Sequence, residues 1–465
     1  MSANGGSPLD ADVIVVGAGI SGLAIAFELQ RRGLAVEVLE AASRGGGVIG
    51  TVHRDGALFE TGPNSALDSA PAINELLVAL HIRDQRIEAS AVAATRFIVR
   101  AGRLVPLPTS PGALFMSPAF TPGAKFRLWR EPFTAPAPAD VDESIADFAR
   151  RRFGAEILEY AVDPFVAGVY AGDPERISMA AAFPRIHALE QKYGSVIRGQ
   201  VQSARERRRN AQPVASVRGS FSFRNGMQTL TDALARAVTH IAFGTEVRRI
   251  ERQADGRWLL TGTRAGEPVA RHARSIVLAT PALPTADLVR EHAAGAAEAL
   301  TRIRYAPIAI VVSAYRRADV AHPLAGFGFL VPKREQRKIL GTLFSSSMFE
   351  GRAPADTVLL TSFVGGMRQP DLAAKADDEL AAMVYGELQA LVGAREPPLW
   401  TDVTRWTRAI PQYNLGHREH LRAIEEAERQ LPGLSFCANY RGGVSVGDRI
   451  QAARTVADRI VAVRA

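Results

Sequence analysis

The stretch Asp12-Val13-Ile14-Val15-Val16-Gly17-Ala18-Gly19-Ile20-Ser21-Gly22 decides the fold. A β-branched run ends in GAGISG and gives way, over residues 23–29, to apolar residues at helical spacing, which predicts strand, tight turn and helix. Gly17 allows the turn, Gly19 admits a pyrophosphate close to the backbone, and Gly22 lets helix and strand pack. The helix start at Ile20 and Ser21 offers free N–H groups and the positive end of a dipole to the phosphates. A second β-branched run, residues 35–39 (AVEVL), ends at Glu40, about 20 residues on, where an acid accepts from ribose hydroxyls. Arg44-Gly45-Gly46-Gly47 follows, a Gly-rich turn suited to close passage along the same dinucleotide. The first fingerprint alone is also compatible with a purely structural turn, and the two turns together favour FAD over NAD.

Working outward, the 465 residues are 47% hydrophobic and 22% charged, an ordinary globular composition long enough for two or three domains. A single cysteine, Cys437, excludes an internal disulfide and argues against a thiolate metal site, so no metal is expected and redox chemistry falls to a cofactor. The longest apolar runs, such as residues 13–16 and 308–312, are too short to span a bilayer. Residues 1–10 carry no signal or transit pattern, and a cytoplasmic protein is expected. The net charge of +8 favours an anionic contact: nucleic acid, acidic lipid or a carboxylate-bearing substrate. No nucleic-acid motif is present. The run Arg205-Glu206-Arg207-Arg208-Arg209, ahead of Pro213, is expected to be a solvated surface loop.

Two distant segments resemble parts of two-domain flavoproteins. Val277-Leu278-Ala279-Thr280-Pro281 is similar to their ATPA strand end, and residues 439–448 (NYRGGVSVGD) to their C-terminal flavin motif. The second lies before an amphipathic stretch, residues 449–463, whose helical N-terminus would face the flavin where its reduced form carries negative charge. More specific are residues 152–199 (RFGAEILEYAVDPFVAGVYAGDPERISMAAAFPRIHALEQKYGSVIRG), 59–65 (FETGPNS), 326–332 (GFGFLVP), 341–354 (GTLFSSSMFEGRAP) and 409–417 (AIPQYNLGH). These blocks resemble the oxygen-dependent protoporphyrinogen oxidases over nearly the whole chain.

The resemblance implies an α/β fold: a Rossmann-type FAD-binding domain, a mixed-sheet substrate domain and an inserted, mainly helical, membrane-contacting region. Its implied boundaries put FAD-binding segments at 1–90, 206–283 and 405–465, substrate segments at 91–97 and 284–404, and the insertion at 98–205. It implies non-covalent FAD held by Gly17, Gly19, Ile20, Ser21, Gly22, Glu40, Arg44, Gly46, Gly47, Gly62, Val247, Thr280, Trp406, Val444 and Val446. Arg96 matches an arginine that pairs with a substrate propionate, and Gly168 a glycine whose carbonyl faces the pyrrole N–H groups. Leu330 and Phe344 match apolar residues that sandwich the ring, and Asn64 a side chain near flavin and substrate. The residue chemistry agrees. A planar guanidinium suits a carboxylate, and a metal-free tetrapyrrole asks for acceptors at its centre and apolar faces above and below. Taken alone, Arg96 reads rather as a surface arginine, and Leu330 and Phe344 rather as core packing.

The implied reaction removes six electrons from a tetrapyrrole, so a two-electron flavin cycles three times, with dioxygen as acceptor and hydrogen peroxide as product. No His or carboxylate announces itself as a general base, and His417 reads as support for the flavin site. Coproporphyrinogen III is the rival substrate, and a flavin-bearing porphyrin scaffold without turnover the reading from another class. The block at 62–65 and the one clear propionate arginine favour protoporphyrinogen. The aromatic, basic stretch of residues 115–133 is read either as a membrane-interface segment, peripheral to the inner face of the cell membrane, or as core. Hand-over of product to ferrochelatase and a homodimer complete the partner expectations.

Overall fold

A computed structural model describes residues 10–68, 70–108, 111–138, 140–209 and 218–463. Its centre is the sheet opened by the strand Ala11–Val16, whose neighbours on either side, Val36–Glu40 and Glu267–Leu278, run parallel to it. His240–Phe243 extends the sheet beyond Val36–Glu40, and Leu434–Phe436 lies parallel to the end of Glu267–Leu278. Buried on both faces, Val13–Val16 and Ile276–Leu278 read as continuous apolar runs. The long strand Glu267–Leu278 changes partner half-way. Its first half pairs antiparallel with Trp258–Arg264, which pairs with Thr245–Arg252. The helices Ile20–Arg31 and Val446–Ala462 pack on each other across one face of this sheet.

A second sheet runs in the order Trp400–Pro411, Tyr305–Arg316, Thr357–Gly365, Gly341–Leu343, Gly328–Leu330, Phe97–Arg100, Arg103–Pro106. It is mixed: only Gly328–Leu330 and Phe97–Arg100 run parallel. The expected boundaries at 97/98 and 404/405 therefore each cut a strand. The segment from 284 to 303 also belongs with the first sheet, because Ala286, Val289, Ala297 and Leu300 pack with Ile14 and Ile276.

Between them, the described residues from 111 to 209 are mainly helical. At the centre of this region Glu131 and Arg152 are fully buried and 3.0 Å apart, and Arg152 also pairs with the buried Glu190. Glu131 accepts from Ser195 Oγ (2.6 Å) and the N–H groups of Val196 (2.9 Å) and Ile197 (3.2 Å), satisfying donors at the start of the helix Val196–Arg209. That helix corrects the loop expected at Arg205–Arg209. Arginine and glutamate are good helix formers, and Tyr193 donates to Glu206 at 2.9 Å, so the capped helix runs through the charged run. Pro213 lies outside the described residues.

Among the described residues no helix is long and apolar enough to cross a membrane, and no cluster of side chains suits a metal ion. The aromatic stretch divides. Phe120 is buried against Ile98 and Tyr160, whereas Phe126, Trp129 (61% exposed) and Phe133 (74%) form an exposed row with ring centroids 6.0 and 6.4 Å apart. The side chain of Phe115 lies outside the described residues.

Candidate active site

The strand Ala11–Val16 runs into Gly17 at φ +101°, a conformation L side chains rarely adopt. A Cβ on Gly22 would lie 1.8 Å from the Gly17 carbonyl oxygen, so helix and turn pack as tightly as the fingerprint requires. At Gly19 a Cβ would meet nothing within 4 Å, which leaves space over the N-terminus of Ile20–Arg31 where no side chain caps the N–H groups. The second Gly-rich turn lies directly alongside: Gly46 N–H donates to Ala18 O at 2.8 Å, and Gly19 and Gly46 form an isolated bridge. Gly46 and Gly47 both have positive φ.

Glu40 ends its strand beside the first turn and accepts from Ala18 N–H (2.5 Å) and Ala42 N–H (2.8 Å), with lone pairs left for a ribose hydroxyl. Gly244 N–H donates to Ala42 O at 3.0 Å, which brings the bulged end of Thr245–Arg252, and Val247 with it, to the same place. Arg44 is exposed and donates to the carbonyls of Gly45 (2.9 Å), Ile49 (3.0 Å) and Gly47 (3.1 Å). Its work in the structure is therefore to hold the shape of its own loop.

At the other end, Ser445 and Asp448 form a capping box on Val446–Ala462. The turn before it is carried by a buried group: Gly443 N–H donates to Tyr413 Oη (3.1 Å), Tyr413 Oη donates to Asn439 O (2.6 Å), and Arg449 donates to the carbonyls of Ala438 and Arg441 (2.6 Å each). His417 stacks on Tyr413 with centroids 4.3 Å apart and contacts Tyr440 O through Nε2 at 2.9 Å. Burial pushes its pKa down to about 4, so it is neutral at ordinary pH, a support and not a proton donor. Trp406 Nε1 donates to Thr61 O at 2.6 Å, and a Cβ on Gly62 would strike the Val48 carbonyl at 2.1 Å, so the loop carrying Asn64 lies between the second sheet and the Gly-rich loop. Thr280 meets Gly17, and Val444 packs against Ile145 and Tyr413. These residues trace one path from ribose end to flavin end, and they fit FAD.

The second sheet supplies the other wall. Gly168 sits in the last turn of the helix Asp163–Tyr170, where carbonyls run out of helical partners, so its carbonyl is an acceptor by position. A Cβ there would lie 2.9 Å from Leu330 Cδ2, and Leu330 also faces Gly341. Arg96 is exposed, has no carboxylate partner among the described residues, and lies with its guanidinium 4.9 Å over the Phe327 ring. Phe344 does not join them. It is 0% exposed and packs against Phe97, His322 and Phe329 in the core behind the sheet, because side chains alternate and Gly341 and Leu343 take the front. The expectation that Phe344 forms one face of the ring site is corrected on this point. Asn64 lines a small cavity with Glu60, Ser345 and Arg352. Phe327, Glu60 and Arg352 were not singled out in the sequence. Phe327 was within reach, as the position alternating with Phe329 in GFGFL, whereas Glu60 and Arg352 carry no local pattern.

An open helix start against two Gly-rich turns, closed at the far end by a second capped helix, defines an FAD-dependent oxidoreductase. Residues 20–461 match the flavin-containing amine oxidoreductases, and the chain belongs to that family. It is 34% identical to protoporphyrinogen oxidase 2, chloroplastic/mitochondrial, of Arabidopsis thaliana, over 97% of this chain and 93% of that one. It is 27% identical to coproporphyrinogen III oxidase of Bacillus subtilis (strain 168), over 94% and 95%. Among solved structures, cyclohexylamine oxidase from Brevibacterium oxydans IH-35A shares the fold, at a TM-score of 0.71 and 18% identity over 98% of this chain and 99% of that one.

Proposed function

We propose that the chain oxidises protoporphyrinogen IX to protoporphyrin IX through FAD, with dioxygen taking the electrons and hydrogen peroxide leaving. The observation that carries this reading is Arg96. A cation without a carboxylate partner among the described residues, two residues before Ile98, whose strand neighbour Leu330 meets Gly168, suits a flat apolar ring system that ends in a carboxylate. The chain's part is to hold that ring: carbonyls at the end of Asp163–Tyr170 accept from pyrrole N–H groups, Leu330 covers a face, and Arg96 fixes the rim. FAD supplies the two-electron chemistry when bound.

The test is steady-state turnover of protoporphyrinogen IX against coproporphyrinogen III in air, with peroxide counted. Preference for protoporphyrinogen, with three peroxides per porphyrin, is expected. Preference for coproporphyrinogen would favour the second reading, which rests on the likeness to the B. subtilis enzyme. That substrate carries four propionates, and Arg96 by itself pairs with one of them.

A peripheral position on the inner face of the cell membrane belongs to the same reading. It is supported by the row Phe126, Trp129 and Phe133, with the Arg198 guanidinium 5.4 Å over the Phe133 ring. Flotation with acidic liposomes should show binding that weakens with salt, and absence of binding at low salt would refute it.

A further inference from the structure

Residues 58–64 of the flavin half and 345–352 of the second half enclose a cavity with room for about one water molecule, lined by Glu60, Asn64, Ser345 and Arg352 among apolar side chains. Arg352 is 4% exposed, and its Nη2 donates to Ser222 Oγ (2.7 Å) and Phe223 O (3.3 Å) while lying 3.8 Å from Glu60 Oε1. Its Nη1 is buried with no partner. A buried guanidinium N–H left bare beside a polar cavity of this size calls for an acceptor, and a water has the size and the lone pairs to be one. Asn64 bonds Gly62 O through Nδ2 at 3.2 Å, which leaves its amide oxygen to take a second donor.

Glu60, on the far side of the cavity, accepts from Thr51 Oγ1 (2.6 Å) and Met227 N–H (2.9 Å). Among the described residues the charged group facing it is Arg352, and its other partners are neutral donors. Those three hold the carboxylate charged, but burial outweighs them and pushes its pKa up. Burial already disfavours its charged form, so a further negative charge nearby moves it toward the protonated form.

We propose that the cavity holds one water joining Glu60 to the Asn64 end of the site, and that Glu60 stores the proton accompanying each electron pair that passes through the flavin. The proposal rests on the reading above for the source of that proton. For each electron pair the substrate gives a hydride to the flavin and a pyrrole N–H proton, through the water, to the Glu60 carboxylate. When dioxygen takes the two electrons it also takes the flavin's proton and the one on Glu60, giving hydrogen peroxide and restoring the carboxylate.

The test needs no substrate, which separates it from the substrate assignment. The FAD holoenzyme is titrated reductively with dithionite and mediators across a pH series around neutrality, and the pH slope of the midpoint potential counts protons per two electrons. Wild type should take up two, one on the flavin and one on Glu60, and Glu60→Gln only one. Equal counts in the two proteins would overturn the proposal. Should Glu60→Gln fail to hold FAD, the infrared difference spectrum on photoreduction decides. A protonated-carboxyl band should appear in wild type and shift in Glu60→Asp; its absence from wild type, or an unshifted band, would overturn the proposal.

Discussion

Gly168 and Leu330 meet so closely that a Cβ on the glycine would lie 2.9 Å from Leu330 Cδ2. The helix Asp163–Tyr170 thus presents bare backbone to the strand Gly328–Leu330. Leu330 Cδ2 is the end of a flexible side chain, so an added methyl displaces it toward the cleft without breaking the fold. Alanine is also the better helix former by about 1 kcal/mol. Gly168→Ala should therefore keep or raise the thermal midpoint while kcat/KM for protoporphyrinogen IX falls about tenfold, equivalent to about 1.4 kcal/mol. Unchanged kcat/KM in a folded, FAD-loaded variant would remove Gly168 from the site.

Arg96→Ala removes a cation that has no carboxylate partner among the described residues, a loss of about 2 to 5 kcal/mol if the propionate is desolvated in the complex. KM should rise and kcat fall together, since a rim contact that fixes ring orientation also sets which carbon faces the flavin. Arg96→Lys should recover part of the activity, keeping charge but losing the planar fork and its stacking on Phe327. Steady-state kinetics with matched flavin content checks both, and wild-type kcat/KM in Arg96→Ala would leave the propionate without an assigned partner.

How much of this was legible in sequence follows from which interactions are local. GAGISG, Glu40 and the Gly-rich turn at 44–47 announce themselves because a strand–turn–helix unit is specified by neighbours, and the structure brings them together. Cys437 is buried one residue past the strand Leu434–Phe436, so it has no exposed thiol. Phe344 was misjudged because a family block names a position without saying which face of the sheet it takes. Arg44 looks like a ligand in a list of motifs, yet its nearest acceptors are three carbonyls of its own loop. Glu60 and Arg352 were illegible, being 292 positions apart in the chain and joined only by the fold.

Gly19 allows a cleaner test of the cofactor site than the other fingerprint glycines. Its φ is −67°, open to any residue, and an added methyl meets no protein atom within 4 Å. Gly19→Ala should leave the apoprotein's thermal midpoint unchanged and weaken FAD binding tenfold or more, about 1.4 kcal/mol. The lost affinity would then report the pyrophosphate that the methyl displaces. Wild-type FAD affinity, measured by fluorescence titration of apoprotein, would place the phosphates elsewhere.

His417 sets a pH limit on the flavin end of the molecule. Burial holds its pKa at about 4, below the ordinary value of 6.5. The folded protein therefore keeps the ring neutral through a range in which the unfolded chain takes up a proton. Because the folded value is depressed for a basic group, the contribution is full above about pH 6.5 and is lost progressively as pH falls toward 4. A difference of that size corresponds to about 3 kcal/mol. His417→Gln removes the titration and keeps a donor for Tyr440 O, at the cost of the stack on Tyr413. The variant should melt lower than wild type at pH 8, and the gap should narrow steadily as pH falls from 6.5 to 4, since only wild type pays the protonation penalty. Thermal midpoints of both FAD-loaded proteins across that range check the sign, and parallel curves would show that His417 does not titrate on unfolding.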